Sequence, residues 1–261
     1  MLFRKLQLNW RYGIAELGIV VAGVLIALAA DGWRQGRQER ATELEYVLRL
    51  MHDLELDTAA VSSIMAETEA RATYARAVMA TYDTGSRSGS PADFVRAVEF
   101  GNYFSYPSYS RTTIDDLMST GNLRLIRRTT VKDAVARYYA TIEWTEQFRE
   151  LFRPTQLALM QFIPEFLDLD QRNALFQEGF ARSCGPTLSC TTGIPWAPSE
   201  LTVAEAEADL VLERLLRRPD ARPFYANMAR IQGGHYANLA SIRELAGDAL
   251  DVLERYVDEA W

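Results

Sequence analysis

The chain is poor in the residues from which most catalytic sites are built. Its 261 residues include two histidines, His52 and His235, and two cysteines, Cys184 and Cys190. Two histidines leave little choice of base for a serine or cysteine nucleophile, and no G-x-S-x-G turn is present. A carboxylate-bridged di-iron site would want two Glu-x-x-His motifs, and neither histidine belongs to one. The stretch MHDLELD offers His52, Asp53, Glu55 and Asp57, but a metal would need further ligands from other helices. Its expected role is a solvated acidic face. The glycines of IQGGHYA lack the strand-to-helix setting of a phosphate loop. Lysine is scarce too: Lys5 and Lys132 are the only two among 28 basic residues. The arginines alternate with acids, as in RQERATELE and VLERLLRR, and the net charge is −7. No basic stripe results, which argues against nucleic-acid binding. No catalytic residue, metal or cofactor is expected.

Strand signals are also missing: no segment alternates apolar and polar residues convincingly. The expected fold class is all-α. Leu44, Val47, Met51, Leu54, Thr58, Val61 and Met65 recur at spacings of three and four, a seam interrupted once by Thr58. Leu48 and Leu50 widen it, which favours packing within the chain. This helix is expected to run to about Tyr82, where DTGSRSGS breaks it. Ser90-Pro91 reads as a cap followed by a first-turn proline. TTIDDLMST reads as a short helix capped by Thr112 or Thr113 and stopped by Gly121. Residues 129–153 form a second long helix that Pro154 bends or ends. Further helix reaches about Phe180, with a break at Pro164. TVAEAEADLVLERLLRRP follows as an amphipathic helix, and a last helix runs from about Pro223. Gly233-Gly234 marks a weak point in it or a close helix contact.

One long apolar run is present, AELGIVVAGVLIALAADGW, residues 15–33. Trp10 and Tyr12 precede it and Trp33 closes it, the aromatic-belt pattern of a membrane span. From Tyr12 to Trp33 a helix rises about 31 Å, which matches a bilayer core of about 30 Å. ALAA together with Arg4, Lys5 and Arg11 imitates a cleavable export signal, but Glu16 interrupts the apolar approach. An uncleaved single span over residues 13–33 is expected, with a short basic tail at 1–12 and a helical, bundle-like domain at 34–261. On that span Glu16, Val20, Gly23, Ala27 and Ala30 share one face. Small residues allow close helix approach, and a carboxylate on the same stripe should face protein or water rather than lipid. The face is expected to pack against another span, unless Glu16 sits solvated at headgroup depth.

Basic residues flank the span on both sides, so charge does not orient it. The cysteines do. A Cys184–Cys190 disulfide would close a seven-residue loop in SCGPTLSCTTG, worth roughly 2 kcal/mol by chain entropy. Such bonds persist in oxidising compartments. The expectation is a cytoplasmic N-terminus and a periplasmic C-terminal domain in a bacterial inner membrane. Tyr103, Phe104, Tyr106 and Tyr109 crowd the loop EFGNYFSYPSYSR, either as a contact surface or as core.

AELGIVVAGVLIALAADGW and TTIDDLMSTGNLRLI, with EYVLRLMHDLELD and the pair Tyr138-Tyr139, resemble a bacterial family of single-pass membrane proteins known only as a domain of unknown function. The resemblance covers most of the first 140 residues. It implies a membrane-anchored helical protein and no particular activity. The expected function is therefore contact with other proteins, as an accessory or assembly subunit of a larger membrane complex or as a homo-oligomer. The alternatives are a periplasmic ligand-sensing module acting through a partner and a metal-dependent hydrolase.

Overall fold

The computed structural model describes residues 10–184 and 202–260. Among them every regular element is helical. Helix α1 runs from Trp10 to Thr84, 75 residues and about 110 Å long. No glycine or proline occurs between Gly36 and Gly85, so nothing weakens its backbone there. Gly85, at φ 71°, ends it: the Gly85 N–H donates to the Thr81 carbonyl at 2.9 Å. Helix α2 (Pro91–Phe100) starts as expected, with Ser90 Oγ accepting from the Asp93 N–H at 3.1 Å.

Helix α3 (Thr112–Ser119) begins one residue earlier than its anticipated caps. Arg111 is its N-cap and makes no side-chain cap bond. The first-turn donor of Thr113 points instead at Asp53 on α1. Gly121, at φ 70°, turns the chain into a 3₁₀ turn over Asn122–Leu125. Helix α4 (Thr129–Met160) neither ends at Pro154 nor stops at residue 153. The next break falls at residues 161–162, ahead of Pro164, which sits in the first turn of the short α5 (Ile163–Phe166). Helices α6 (Leu169–Cys184), α7 (Glu205–Leu216) and α8 (Arg222–Ala260) complete the described chain. Helix α8 passes through Gly233-Gly234 unbroken. A Cβ at either glycine would meet nothing within 4 Å, so no close helix contact explains them.

Helix α8 lies along α1, and α4 packs onto α8. The packed part of α1 begins at Glu43, and every residue from Glu16 to Thr42 is exposed or half-exposed. The seam holds, with a shifted membership. Tyr46, Val47, Leu50, Leu54, Val61 and Ile64 are buried, whereas Leu48 stays 48% exposed. Two apolar clusters result. The first joins residues 46–65 of α1 to α3, the first half of α4 and residues 239–256 of α8. The second joins residues 75–78 of α1 to α2, α5, α7, Leu159, Leu175, Ala221 and residues 225–231 of α8. Gly101 lets the second cluster close. A Cβ there would stand 2.8 Å from the Ala97 carbonyl oxygen and 3.2 Å from the Ala75 nitrogen, so only glycine lets α2 end against the α1 backbone.

Candidate functional site: an exposed stem and a strapped polar belt

Two features stand apart from ordinary core packing. The first is the N-terminal part of α1. It is long and apolar enough to cross a membrane, and none of its apolar window is buried in the chain. Leu17, Ile19, Val21, Leu25, Ile26 and Leu28 are all exposed. Trp33, 66% exposed, ends the run, with the Arg37 guanidinium 5.0 Å from its ring centroid. Asp31 pairs with Arg34 at 3.3 Å. Glu16, Val20, Gly23, Ala27 and Ala30 are all exposed on this stem. At 3.6 residues per turn their common direction lies roughly 180° around the axis from Glu43, Val47, Leu50 and Leu54, which face the core. The small-residue face thus points away from the domain that α1 carries. Trp10 and Tyr12 contribute helical backbone to α1; their interfacial anchoring lies outside the described side chains. The Cys184–Cys190 pairing lies outside the described residues.

The second feature is a belt of buried polar side chains between the two apolar clusters. Helix α1 supplies Glu67, Thr68 and Arg71, and α8 supplies Gln232 and His235; each is at most 7% exposed. Arg71 Nη2 donates to Glu67 Oε2 at 2.9 Å. Burial holds the Glu67 carboxyl above its usual range, against the pull of Arg71, and lowers the Arg71 guanidinium.

Over this belt runs the segment from Asn102 to Arg111, which has no helix of its own and acts as a strap. Its backbone polar groups still need partners, and side chains of the helices provide them. Gln232 Nε2 donates to the Tyr103 carbonyl at 2.6 Å, and His235 Nε2 to the Ser105 carbonyl at 3.0 Å. Tyr139 Oη donates to the Ser110 carbonyl at 2.9 Å. The Ser110 N–H donates to Asp57 Oδ1 at 2.7 Å, and Tyr138 Oη to Asp57 Oδ2 at 2.6 Å. Asp57 is 1% exposed. Burial raises its carboxyl above the usual range, and these two donors and the Ser110 hydroxyl oppose that shift. Glu99, fully buried, closes the far end by accepting from Arg172 and Tyr103.

The aromatic loop residues therefore fall on the strap, half-buried. Tyr109 packs on the first cluster, Tyr103 and Phe104 on the second, and Tyr106 lies 5.0 Å from the His235 ring. Two strap groups are buried without a hydrogen-bond partner among the described residues, the Asn102 amide and the Tyr109 hydroxyl.

MHDLELD divides. His52 is exposed beside Glu55 at 3.9 Å, whereas Asp53 and Asp57 turn inward to hold backbone N–H groups. Among the described residues no group of three or more histidine, cysteine, aspartate or glutamate side chains could hold a metal. Sequence reading missed Asp57, Glu67, Arg71, Glu99 and Gln232 as anchors. The available signal was phase: residues 54, 57, 61, 64, 68 and 71 recur at spacings of three and four, on the face that meets the core. Compared with protein-family models, curated proteins and solved structures, the chain matches none.

Proposed function

We propose that this chain is a single-pass, membrane-anchored helical protein that works through protein contacts. It would serve as an accessory or assembly subunit of a larger inner-membrane complex, or as a homo-oligomer. The observation that carries the reading is the stem. Among the described residues, an apolar stretch long enough to span a bilayer stands clear of every packed element. Large exposed apolar surface calls for a lipid or protein environment. The stem's small-residue face, with Glu16 on it, points away from the domain, so the chain does not obstruct a second span seated there. In this reading the N-terminal tail is cytoplasmic and the helical domain periplasmic, as expected from a Cys184–Cys190 disulfide.

Extraction in mild detergent, followed by native mass measurement and identification of co-purifying chains, tests the reading. The expected result is a defined assembly larger than one chain. A lone monomer without partners would overturn it. Thiol trapping in intact cells tests the orientation: freely reactive Cys184 and Cys190 would reverse it.

A further inference from the structure

The belt has one member whose charge can change near neutral pH, and it fastens the strap. The His235 ring lies against Phe104, centroids 6.0 Å apart, and against Tyr106 at 5.0 Å. Its Nε2 holds the Ser105 carbonyl. Beside it is a cavity of about 10 Å³, the room of one water molecule, also lined by Phe104, Tyr106, Thr145, Arg149 and Phe152. A wider cleft that shares Tyr106 and Arg149 adjoins this cavity. A buried imidazole is thus seated next to a small, partly open space.

We propose that His235 is a proton-operated latch on the strap: a proton taken from water at Nδ1 turns the ring out of its seat toward the cavity and frees residues 103–106 from α8. The neutral ring satisfies the Ser105 carbonyl without bringing charge into the interior. The imidazolium cannot stay there cheaply. Burial opposes its charge, and Arg71 on α1 adds repulsion, so the group is held below its ordinary value of 6.5. The Ser105 carbonyl offsets this only in part. Glu67 on α1 is already engaged by Arg71. Arg149 on α4 is a second cation, across the cavity. Tyr106 on the strap, pushed up to about 12, stays neutral.

A lowered histidine leaves the closed strap at full strength above pH 6.5. The closed state then weakens as pH falls, by up to tenfold per unit, until the folded-state value is reached. Asp57 and Glu67 have raised carboxyls and act with the opposite sign, favouring the closed strap on acidification.

Two measurements on the full chain in detergent test the latch. The chain has only two histidines, so NMR titration of the ring protons is readily assigned by loss of one signal in His235→Gln. The His235 ring should titrate below 6.5. Hydrogen exchange corrected for intrinsic rates should show residues 103–106 opening up to tenfold more per unit below pH 6.5. His235→Gln, which keeps a neutral donor for Ser105, should not respond. The latch is overturned if His235 titrates at or above 6.5, or if strap opening is independent of pH. It is equally overturned if His235→Gln opens as the native chain does, or if exchange rises evenly over α1 and α8. If the variant does not fold, ring titration and exchange in the native chain still decide.

Discussion

Replacing Tyr138 by phenylalanine tests whether the strap is held by the geometry described. Tyr138 is fully buried, and its hydroxyl donates to Asp57 Oδ2 at 2.6 Å. Phenylalanine fills the same space, so little cavity is left and the change isolates one hydrogen bond. A bond to an ionised carboxylate contributes about 1.5–3 kcal/mol, and Asp57 would keep the N–H and the hydroxyl of Ser110 as donors. The expected loss is about 2 kcal/mol at neutral pH. For a helical domain of this size that is a fall of roughly 4–8 °C in Tm, read from helical circular dichroism of the full chain in detergent. The loss should depend on pH. The Tyr138 hydroxyl lowers the Asp57 carboxyl, so removing it raises the group further. A raised carboxyl contributes full stability below its unfolded value of 3.8 and loses it as pH climbs through the folded value. The gap between native and variant should therefore narrow as pH falls toward 4. In an Asp57→Asn background the bond joins neutral groups, and the Tyr138→Phe cost should drop to about 1 kcal/mol or less. A cost under about 0.5 kcal/mol, or one unchanged in that background, would refute an anchoring role for Asp57.

Three other substitutions probe separate parts of the argument. Val24→Arg, near the middle of the stem, should weaken insertion by about 2.5–3.5 kcal/mol and shift the chain out of carbonate-resistant membranes; an unchanged distribution counts against a span. Gly101→Ala should cost about 1–3 kcal/mol in denaturant unfolding, because the atoms it meets are backbone and cannot swing aside. Arg71→Met strands Glu67 in the interior and should cost about 3–5 kcal/mol, while Glu67→Met with Arg71→Met should recover most of it. A double-variant loss equal to the sum of the Glu67→Met and Arg71→Met losses would mean that the pair is not coupled.

The sequence showed the helices well and the belt poorly, for a physical reason. Apolar spacing marks a helix wherever one face is buried, so α1, α2, α7 and α8 were legible within a few residues, as was the start of α4, whose end lies seven residues beyond residue 153. Cap chemistry was less reliable. Ser90 caps α2 as expected, but the Thr113 N–H of α3 goes to Asp53, a partner 60 residues away that no local pattern shows. Pro154 lacks a donor and crowds the preceding turn, which reads as a bend or an end, and the helix does not end there but continues to Met160. The belt stayed hidden because acids and arginines on a helix are normally solvated. Asp57 sits between Leu54 and Val61 on the core face, and its phase should have outweighed its charge. The strap anchors are also far apart in sequence: Gln232 meets Tyr103 across 129 residues, and His235 meets Ser105 across 130.

The long helix joins the two unusual features. Helix α1 carries the exposed stem at one end, and farther along it Asp53, Asp57, Glu67 and Arg71, which hold the strap or sit beneath it. Between Gly36 and Gly85 it has no proline or glycine at which to bend. A shift of the strap cannot be absorbed by a kink in that interval. Where Asp53 and Asp57 move with the strap, α1 tilts or rotates against α8, because the two helices share both apolar clusters. The belt is where such a shift meets least resistance, since its polar contacts can exchange partners, while the flanking apolar clusters are close-packed. Gly32 and Gly36 lie between the packed part of α1 and the face of Gly23, Ala27 and Ala30, so a change in the belt would reach that face only while α1 stays straight across them.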